Sequence, residues 1–321
     1  MARPPVPAVL HIIVSSAFLA SSLTIALWAS QTVAETLMLP PTDIDLIGQT
    51  AVVEARHEDT LLDIARRFDI GQDEIVLANP QVDRWLPGEG TETIIPSRYI
   101  LPRAERTGIV LNVPEMRMYY FPPPEAGLPA SVQTYPVSIG RMDWSTPLGR
   151  TTVAAKIRNP GWHPPDSIRA EAAASGKPLP DFIPPGPDNP LGDYALRLGL
   201  PGYLIHSTNR PYGVGMRVTH GCVRMYPEDI ERLFPHVPVG TPVQIVNQPV
   251  KIGWLFDTLF IEVHPPLDEH SEESEAFLET AMELINAAWA QRRFVLDAHA
   301  LKAAVNKPDG TPVPIAQAAT N

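Results

Sequence analysis

Proline does most to limit what this chain can become: it fills 37 of the 321 positions, where an ordinary protein carries about 5%. A proline has no N–H to give a helix interior or a central strand, so it is confined to loops, edge strands and first helical turns. Glycine, at 20 residues, shows no matching excess, which excludes a collagen-like or low-complexity chain. Hydrophobic residues at 44% and charged residues at 19% belong to a globular protein with an ample core. The expectation is a loop-rich, mostly β protein with some helix.

The net charge is −11, and no cluster of Lys and Arg of the kind that tracks phosphates appears, so nucleic acid is excluded as a partner. Arg3 precedes an apolar, serine-dotted run from Ile12 to Trp28, and small residues follow up to Ala34. A positive start, an apolar middle and small residues before a cut are the order of a secretory signal. Residues 1–34 therefore read as a signal peptide cleaved after Ala34, with an uncleaved anchor as the alternative, and the expected location is the periplasm. Cys222 is the single cysteine, so neither an internal disulfide nor dithiol chemistry is available.

Periodicity divides the rest. In residues 48–102, Leu61, Ile64, Ala65 and Phe68 fall on one face of a helix whose Thr60 and Asp63 are spaced as a capping box. A second short helix spans Asp73–Ala78, and short β runs at Ala51–Ala55 and Thr93–Pro96 flank the pair, giving β-α-α-β. Residues 106–248 carry alternation: Ile109, Leu111 and Val113, then Met116, Met118 and Tyr120 across a Pro114-Glu115 turn. Further strands are expected at Ser131–Ile139, Thr151–Lys156, Ala195–Leu198, Tyr203–His206 and Pro242–Val246. A proline-rich insertion between Arg158 and Asp193 is broken by one helix at Ile168–Ala174, and a segment that long is functional or mobile. Trp162 and His163 within it are candidates to line a lid. Residues 251–321 read as a hairpin (Ile252–Trp254, Leu259–Val263) and an amphipathic helix (Glu272–Arg293) packing on the central domain, with the chain frayed after Asn306.

Candidate chemistry gathers around Cys222. Tyr203–Ile205 is apolar and leads into His206, which should end a strand. A turn containing Gly213 follows, then Thr219, His220, Gly221, Cys222, Val223 and Arg224. Thiol acyl transfer needs a thiolate, a base within hydrogen-bond reach, and backbone N–H groups aimed at the developing oxyanion. Arg224 shares the face of Cys222 if the chain is extended, where it favours the thiolate or holds a substrate carboxylate. Zinc bound by His206, His220 and Cys222 is the competing reading, but no fourth ligand stands at regular spacing, so neither metal nor cofactor is expected. Scattered carboxylates argue against glycosidase chemistry, and His264, before two prolines, reads as structural.

His206, Gly213 and the run Thr219-His220-Gly221-Cys222-Val223-Arg224 closely resemble the signature of the L,D-transpeptidases (the YkuD domain). Gly140 and Thr146-Pro147-Leu148-Gly149 extend the match in the manner of the proteobacterial ErfK/YbiS subgroup. The segment 48–102 resembles a LysM module, which binds glycan containing N-acetylglucosamine. The resemblance implies a β-sandwich-like catalytic domain acting on peptidoglycan and open to carbapenems. Cys222 would attack the bond between diaminopimelate and D-alanine of a stem peptide, release D-alanine, and pass the acyl group to an amine. His206 stands at the family's proton donor and acceptor, with His220 as alternative base or orienter. The backbone at Gly221 would serve the oxyanion, and Arg224, Thr219 and Gly213 the substrate. The acceptor would be another stem or the lysine of an outer-membrane lipoprotein. The alternatives are an L,D-carboxypeptidase or hydrolase on the same scaffold, with water as acceptor, and a non-catalytic wall-binding protein. The module at 48–102 is expected to tether the enzyme to the wall without touching the chemistry.

Overall fold

The computed structural model describes residues 36–267 and 273–319; the expected signal segment lies outside them. The first region holds β1 (Thr36–Met38), β2 (Leu46–Gly48), β3 (Ala51–Glu54), α1 (Leu61–Arg67), α2 (Gln72–Ala78), β4 (Glu92–Ile95) and β5 (Arg98–Ile100). The second begins with β6 (Gly108–Asn112), β7 (Arg117–Phe121), β8 (Ser131–Gly140), β9 (Gly149–Arg158) and α3 (Asp166–Ala174). It continues through β10 (Tyr194–Leu198), β11 (Leu204–His206), β12 (Arg217–Thr219), β13 (Val223–Met225), α4 (Pro227–His236) and β14 (Pro242–Val246). The third holds β15 (Val250–Leu255), β16 (Thr258–Val263), α5 (Glu273–Gln291), β17 (Phe294–Leu296), α6 (Ala298–Asn306) and β18 (Val313–Ala318). Among the described residues no helix is long and apolar enough to cross a membrane.

Alternation builds the middle region as expected. Ile109 and Leu111 on β6, Met118 and Tyr120 on β7, Tyr135, Val137 and Ile139 on β8, and Val243 and Ile245 on β14 share one core with Ile230, Leu233 and Phe234 of α4. The strands run β1-β8-β13-β11-β10-β9-β14-β6-β7, with β12 on β8, and β7 pairs back with β8. That pairing closes eight strands into a ring and leaves β1 and β12 as appendages. Closure removes the unpaired edges that an open sheet exposes. The opposite faces of β6, β7 and β8 are buried too, where Val110, Tyr119, Phe121 and Val132 pack against Ile47, Tyr99 and Leu101 of the first region.

The first region forms the expected β3-α1-α2-β4 unit. Thr60 caps α1 reciprocally with Asp63, and Leu61, Ile64, Ala65, Ile70, Ile75 and Ile95 make its own core. It is no loose tether. The first-turn N–H groups of a helix lack partners within it; those of Gln72 and Asp73 on α2 donate to the carbonyls of Val214 (3.0 Å) and Gly215 (3.1 Å). These two residues belong to the loop between His206 and Cys222. The backbones meet so closely that a Cβ on Gly215 would lie 2.3 Å from the Cα of Gly71. A bidentate Arg66–Glu228 pair (2.7 and 3.0 Å) and Arg117–Glu74 (2.6 Å) reinforce the contact.

The third region departs from the sequence reading in two ways. Its helix α5 packs Phe277, Ala281, Ile285 and Ala288 on its own sheet, in order β15-β16-β18-β17, rather than on the central domain. The residues after Asn306 are not frayed, because β18 pairs with both β16 and β17. The three regions meet at Lys251. Its buried ammonium lies 2.9 Å from Glu115 on the β6–β7 turn and 2.7 Å from Glu262 on β16, and donates to the carbonyl of Ile100 on β5 at 2.7 Å.

Gly215→Ala tests the docking of α2. The residue has φ +83°, outside the range L side chains favour, and its Cβ would strike backbone. A loss of about 1–3 kcal/mol, read as a fall in calorimetric Tm, is expected. An unchanged Tm would mean that loop and helix separate freely.

Candidate active site

Two parallel strands set the geometry. β11 ends on His206, as expected, and pairs with β13 in the register Ile205↔Val223 and His206↔Arg224. Side chains alternate along a strand, so Ile205 and Val223 enter the core while Leu204, His206, Cys222 and Arg224 face a cavity of about 280 Å³. Thr219 and His220 complete its floor, and Trp144 and Tyr203 wall it. The insertion between β9 and β10 forms its roof with Trp162, Pro165 and Ile168. His163 does not join Trp162 there; it stacks on Phe182 at 4.7 Å.

The turn before Cys222 is held from behind. Thr219 donates its hydroxyl to the carbonyl of Cys222 (2.6 Å), so the residue expected to meet substrate closes the turn. Thr146 accepts from the N–H of Gly140 and donates to the carbonyl of Gly221, both at 3.0 Å. Gly221 has φ +95°, and a Cβ there would lie 2.8 Å from the ring of Tyr203. Gly140 is required for a different reason: its Cβ would meet the carbonyl oxygen of Trp144 at 1.9 Å and the Cα of Gly221 at 3.0 Å. Among the described residues no acceptor engages the N–H groups of Gly221 or Cys222. Gly213 stands outside the cavity wall. Its carbonyl accepts from Ser138 (2.6 Å), and it backs onto Arg224 because the turn directs its Cα there.

Proton positions follow from partners. Nδ1 of His206 lies 2.6 Å from the carbonyl of Ser207; a carbonyl only accepts, so Nδ1 carries the proton and Nε2 the lone pair. Burial, aided by the charge of Arg224, pushes His206 down to about 4. Burial pushes the Cys222 thiol up, against the opposing pull of the Leu204 backbone and Arg224. Both groups are therefore neutral at neutral pH. Nε2 of His220 is bound to Glu171 of α3 at 2.9 Å, and the same carboxylate takes Arg141 at 2.5 Å. Arg224 has no carboxylate partner among the described residues; its burial lowers its pKa, and nearby Arg210 adds to that.

Arg141, Trp144, Thr146, Glu171 and Tyr203 were not singled out as site residues from the sequence. For Thr146 the signal was present in the Thr-Pro-Leu-Gly run, but Glu171 sits in an otherwise ordinary helix. The described residues spaced to hold a metal ion are Glu115, Glu262 and His264; none of them lines the Cys222 cavity, and the ammonium of Lys251 already lies on both carboxylates.

A cysteine and a histidine facing one covered cleft, beside free backbone N–H groups, define an enzyme of acyl transfer. Residues 106–245 match the YkuD family, the L,D-transpeptidase catalytic domain. The chain is 39% identical to a probable L,D-transpeptidase ErfK/SrfK of Escherichia coli K12, over 90% of this chain and 94% of that one. It is 41% identical to a probable L,D-transpeptidase YbiS of that strain, over 80% and 83% of the two chains. The probable L,D-transpeptidase YcfS is 40% identical over 76% and 77%. The chain belongs to the L,D-transpeptidase family, whose members are acyltransferases of peptidoglycan.

The two neutral groups set a pH signature. Alkylation of Cys222 by iodoacetamide is expected to climb only above the ordinary thiol range. Turnover should hold level through the ordinary histidine range and fall as His206 takes a proton near pH 4, since imidazolium cannot accept the thiol proton. A plateau of alkylation extending below neutral pH would instead report a thiolate–imidazolium pair.

Proposed function

We propose that this enzyme attacks the carbonyl between diaminopimelate and D-alanine of a peptidoglycan stem with Cys222. The sulfur forms a thioester, the C–N bond breaks, and D-alanine leaves. His206 takes the thiol proton and gives it to the leaving amine; an acceptor amine then attacks the thioester and loses a proton to His206, which passes it to the departing Cys222 thiolate. The observation that carries this reading is that His206 and Cys222 face one covered cavity while Ser207 fixes the imidazole tautomer. His220 is the weaker candidate for the base because its Nε2 is committed to Glu171; it orients the wall of the site. The free N–H groups of Gly221 and Cys222 receive the oxyanion, and Arg224 receives the carboxylate of the departing D-alanine.

An amine acceptor is favoured over water because Trp144, Trp162, Pro165 and Ile168 make the cavity lining largely apolar. The amine belongs to a second stem, giving a cross-link, or to the lysine of an outer-membrane lipoprotein, giving an anchor. Muropeptide analysis of a deletion strain separates these from hydrolysis. The signal-like residues 1–34 and the wall substrate support a periplasmic location. The β3-α1-α2-β4 unit supports glycan binding by a LysM-like module.

Cys222→Ala is expected to abolish D-alanine release from a tetrapeptide while leaving the circular-dichroism spectrum unchanged, and a carbapenem should add one drug mass to the wild type alone. Appreciable turnover by the variant would end the cysteine mechanism. Because α2 holds the loop before Cys222, deleting residues 48–102 should lower turnover of a soluble tetrapeptide as well as binding to sacculi. Full turnover of the soluble donor would restore the independent tether expected from sequence.

A further inference from the structure

Three nitrogen-bearing side chains surround the Cys222 turn: Arg224 inside the cavity, His220 at the outer edge of its floor, and Arg141 beside it at the rim. Arg141 and His220 are joined by one carboxylate, Glu171, which comes from the roof. The roof is a body in its own right. Asn159 and Asp193 close its neck at 2.8 Å, Trp162 and Ile183 exchange two backbone hydrogen bonds of 2.8 Å, and the buried Asn189 amide reaches the carbonyl of Pro160 at 2.8 Å. Helix α3 buries no residue, and the other charged side-chain contacts it makes, Arg169 with Asp166 and Asp181, stay within the insertion. Among the described residues, Glu171 alone carries a side-chain hydrogen bond from α3 to the catalytic floor. Its partners are solvent-accessible, Arg141 at 35% and His220 at 28%, so a ligand from solution can reach them. An ion pair of such exposure is readily exchanged for another carboxylate.

We propose that Arg141 and His220 form a carboxylate subsite for the donor stem, and that Glu171 is an internal competitor for it that latches the lid. Resting on the stem-peptide reading above, the ligand is the side-chain carboxylate of diaminopimelate. That group hangs on a long arm beside the scissile carbonyl and reaches a rim, whereas the D-alanine carboxylate, one residue from the bond, stays inside near Arg224. Gly140 packs on Gly221 and thereby holds Arg141 beside the nucleophile turn. A stem carboxylate that displaces Glu171 releases the roof and admits the donor. A donor with an amide at that position cannot make the exchange.

The test pairs a substrate-free readout with a substrate-dependent one, using the full chain. Alkylation of Cys222 by neutral iodoacetamide, followed by intact mass at fixed pH, should be several-fold faster in Glu171→Gln and near wild type in Glu171→Asp. The wild type should turn over a tetrapeptide with a free diaminopimelate carboxylate several-fold more efficiently in kcat/KM than its amide. Arg141→Gln should erase that preference, and Glu171→Gln should lower KM for the free acid. Equal alkylation in wild type and Glu171→Gln overturns the latch, and a preference that survives Arg141→Gln overturns the subsite. A fall in kcat for Glu171→Gln with alkylation unchanged assigns Glu171 to positioning His220 instead. If the wild type turns over neither peptide, the stem-peptide reading fails, while the alkylation arm still decides the latch.

Discussion

The buried ammonium of Lys251 joins the three regions of the chain at one point. Burial alone would strip its proton, but Glu115 and Glu262 outweigh that and hold it charged. Glu262 also accepts from the N–H of Ile100 (2.6 Å) and contacts His264 (2.6 Å), and Tyr119 donates to Glu115. Such a network adds little net stability over a well-packed apolar one, yet losing one member costs about 3–5 kcal/mol because a charge is left unpaired. Its consequence here is registration. Glu115 fixes the β6–β7 turn, Ile100 fixes β5, and β5 brings the first region against the ring. With the first region seated, α2 reaches Val214 and Gly215 and sets the loop that delivers Cys222.

Local patterns made much of this legible in advance. The capping box at Thr60 and Asp63, the alternation in β6, β7 and β8, and the strand ending on His206 each depend on neighbours a few residues apart, and each formed as read. What escaped the sequence depends on distant partners. Val313–Ala318 carries a proline and little apolar bulk, so it looks frayed until β16 and β17 flank it. Helix α5 is amphipathic, which predicts that one face is covered but not by which sheet. Lys251, Glu115 and Glu262 are ordinary surface residue types, and only the fold reveals them as a buried cluster. The motif points to Gly213 as a site residue, but position in a motif does not tell which side of Arg224 it occupies, and it lies behind that side chain, outside the cavity lining.

The site separates the tasks of its two histidines by their partners. Ser207 offers His206 only a carbonyl, so the imidazole is neutral with a free lone pair, which suits a group that must accept a proton. His220 faces the carboxylate of Glu171, which only accepts, so its Nε2 is occupied as a donor. The thiol is likewise neutral, so in the proposed reaction the thiolate forms only as the proton moves to His206. Storing the pair as neutral groups protects the single cysteine from oxidation, because oxidation proceeds through the thiolate.

Nine of the 37 prolines gather in the roof, where their reason is clear. β9 and β10 are antiparallel neighbours in a closed ring, so an insertion between them leaves and returns at one place and finds no free edge to join. It must fold on itself over the mouth. Prolines at 160, 164, 165, 178, 180, 184, 185, 187 and 190 remove N–H groups that would otherwise need partners in a segment with no sheet to pair with. They also stiffen the segment by fixing φ, which reduces the entropy lost when it becomes ordered. A stiff body on a hydrogen-bonded neck moves as a unit, so few contacts are needed to hold it. Its helical end is attached to the catalytic floor by one exposed carboxylate, Glu171, while its other end is fixed where the Leu191 backbone meets His206 and Gly192 packs on Ser207.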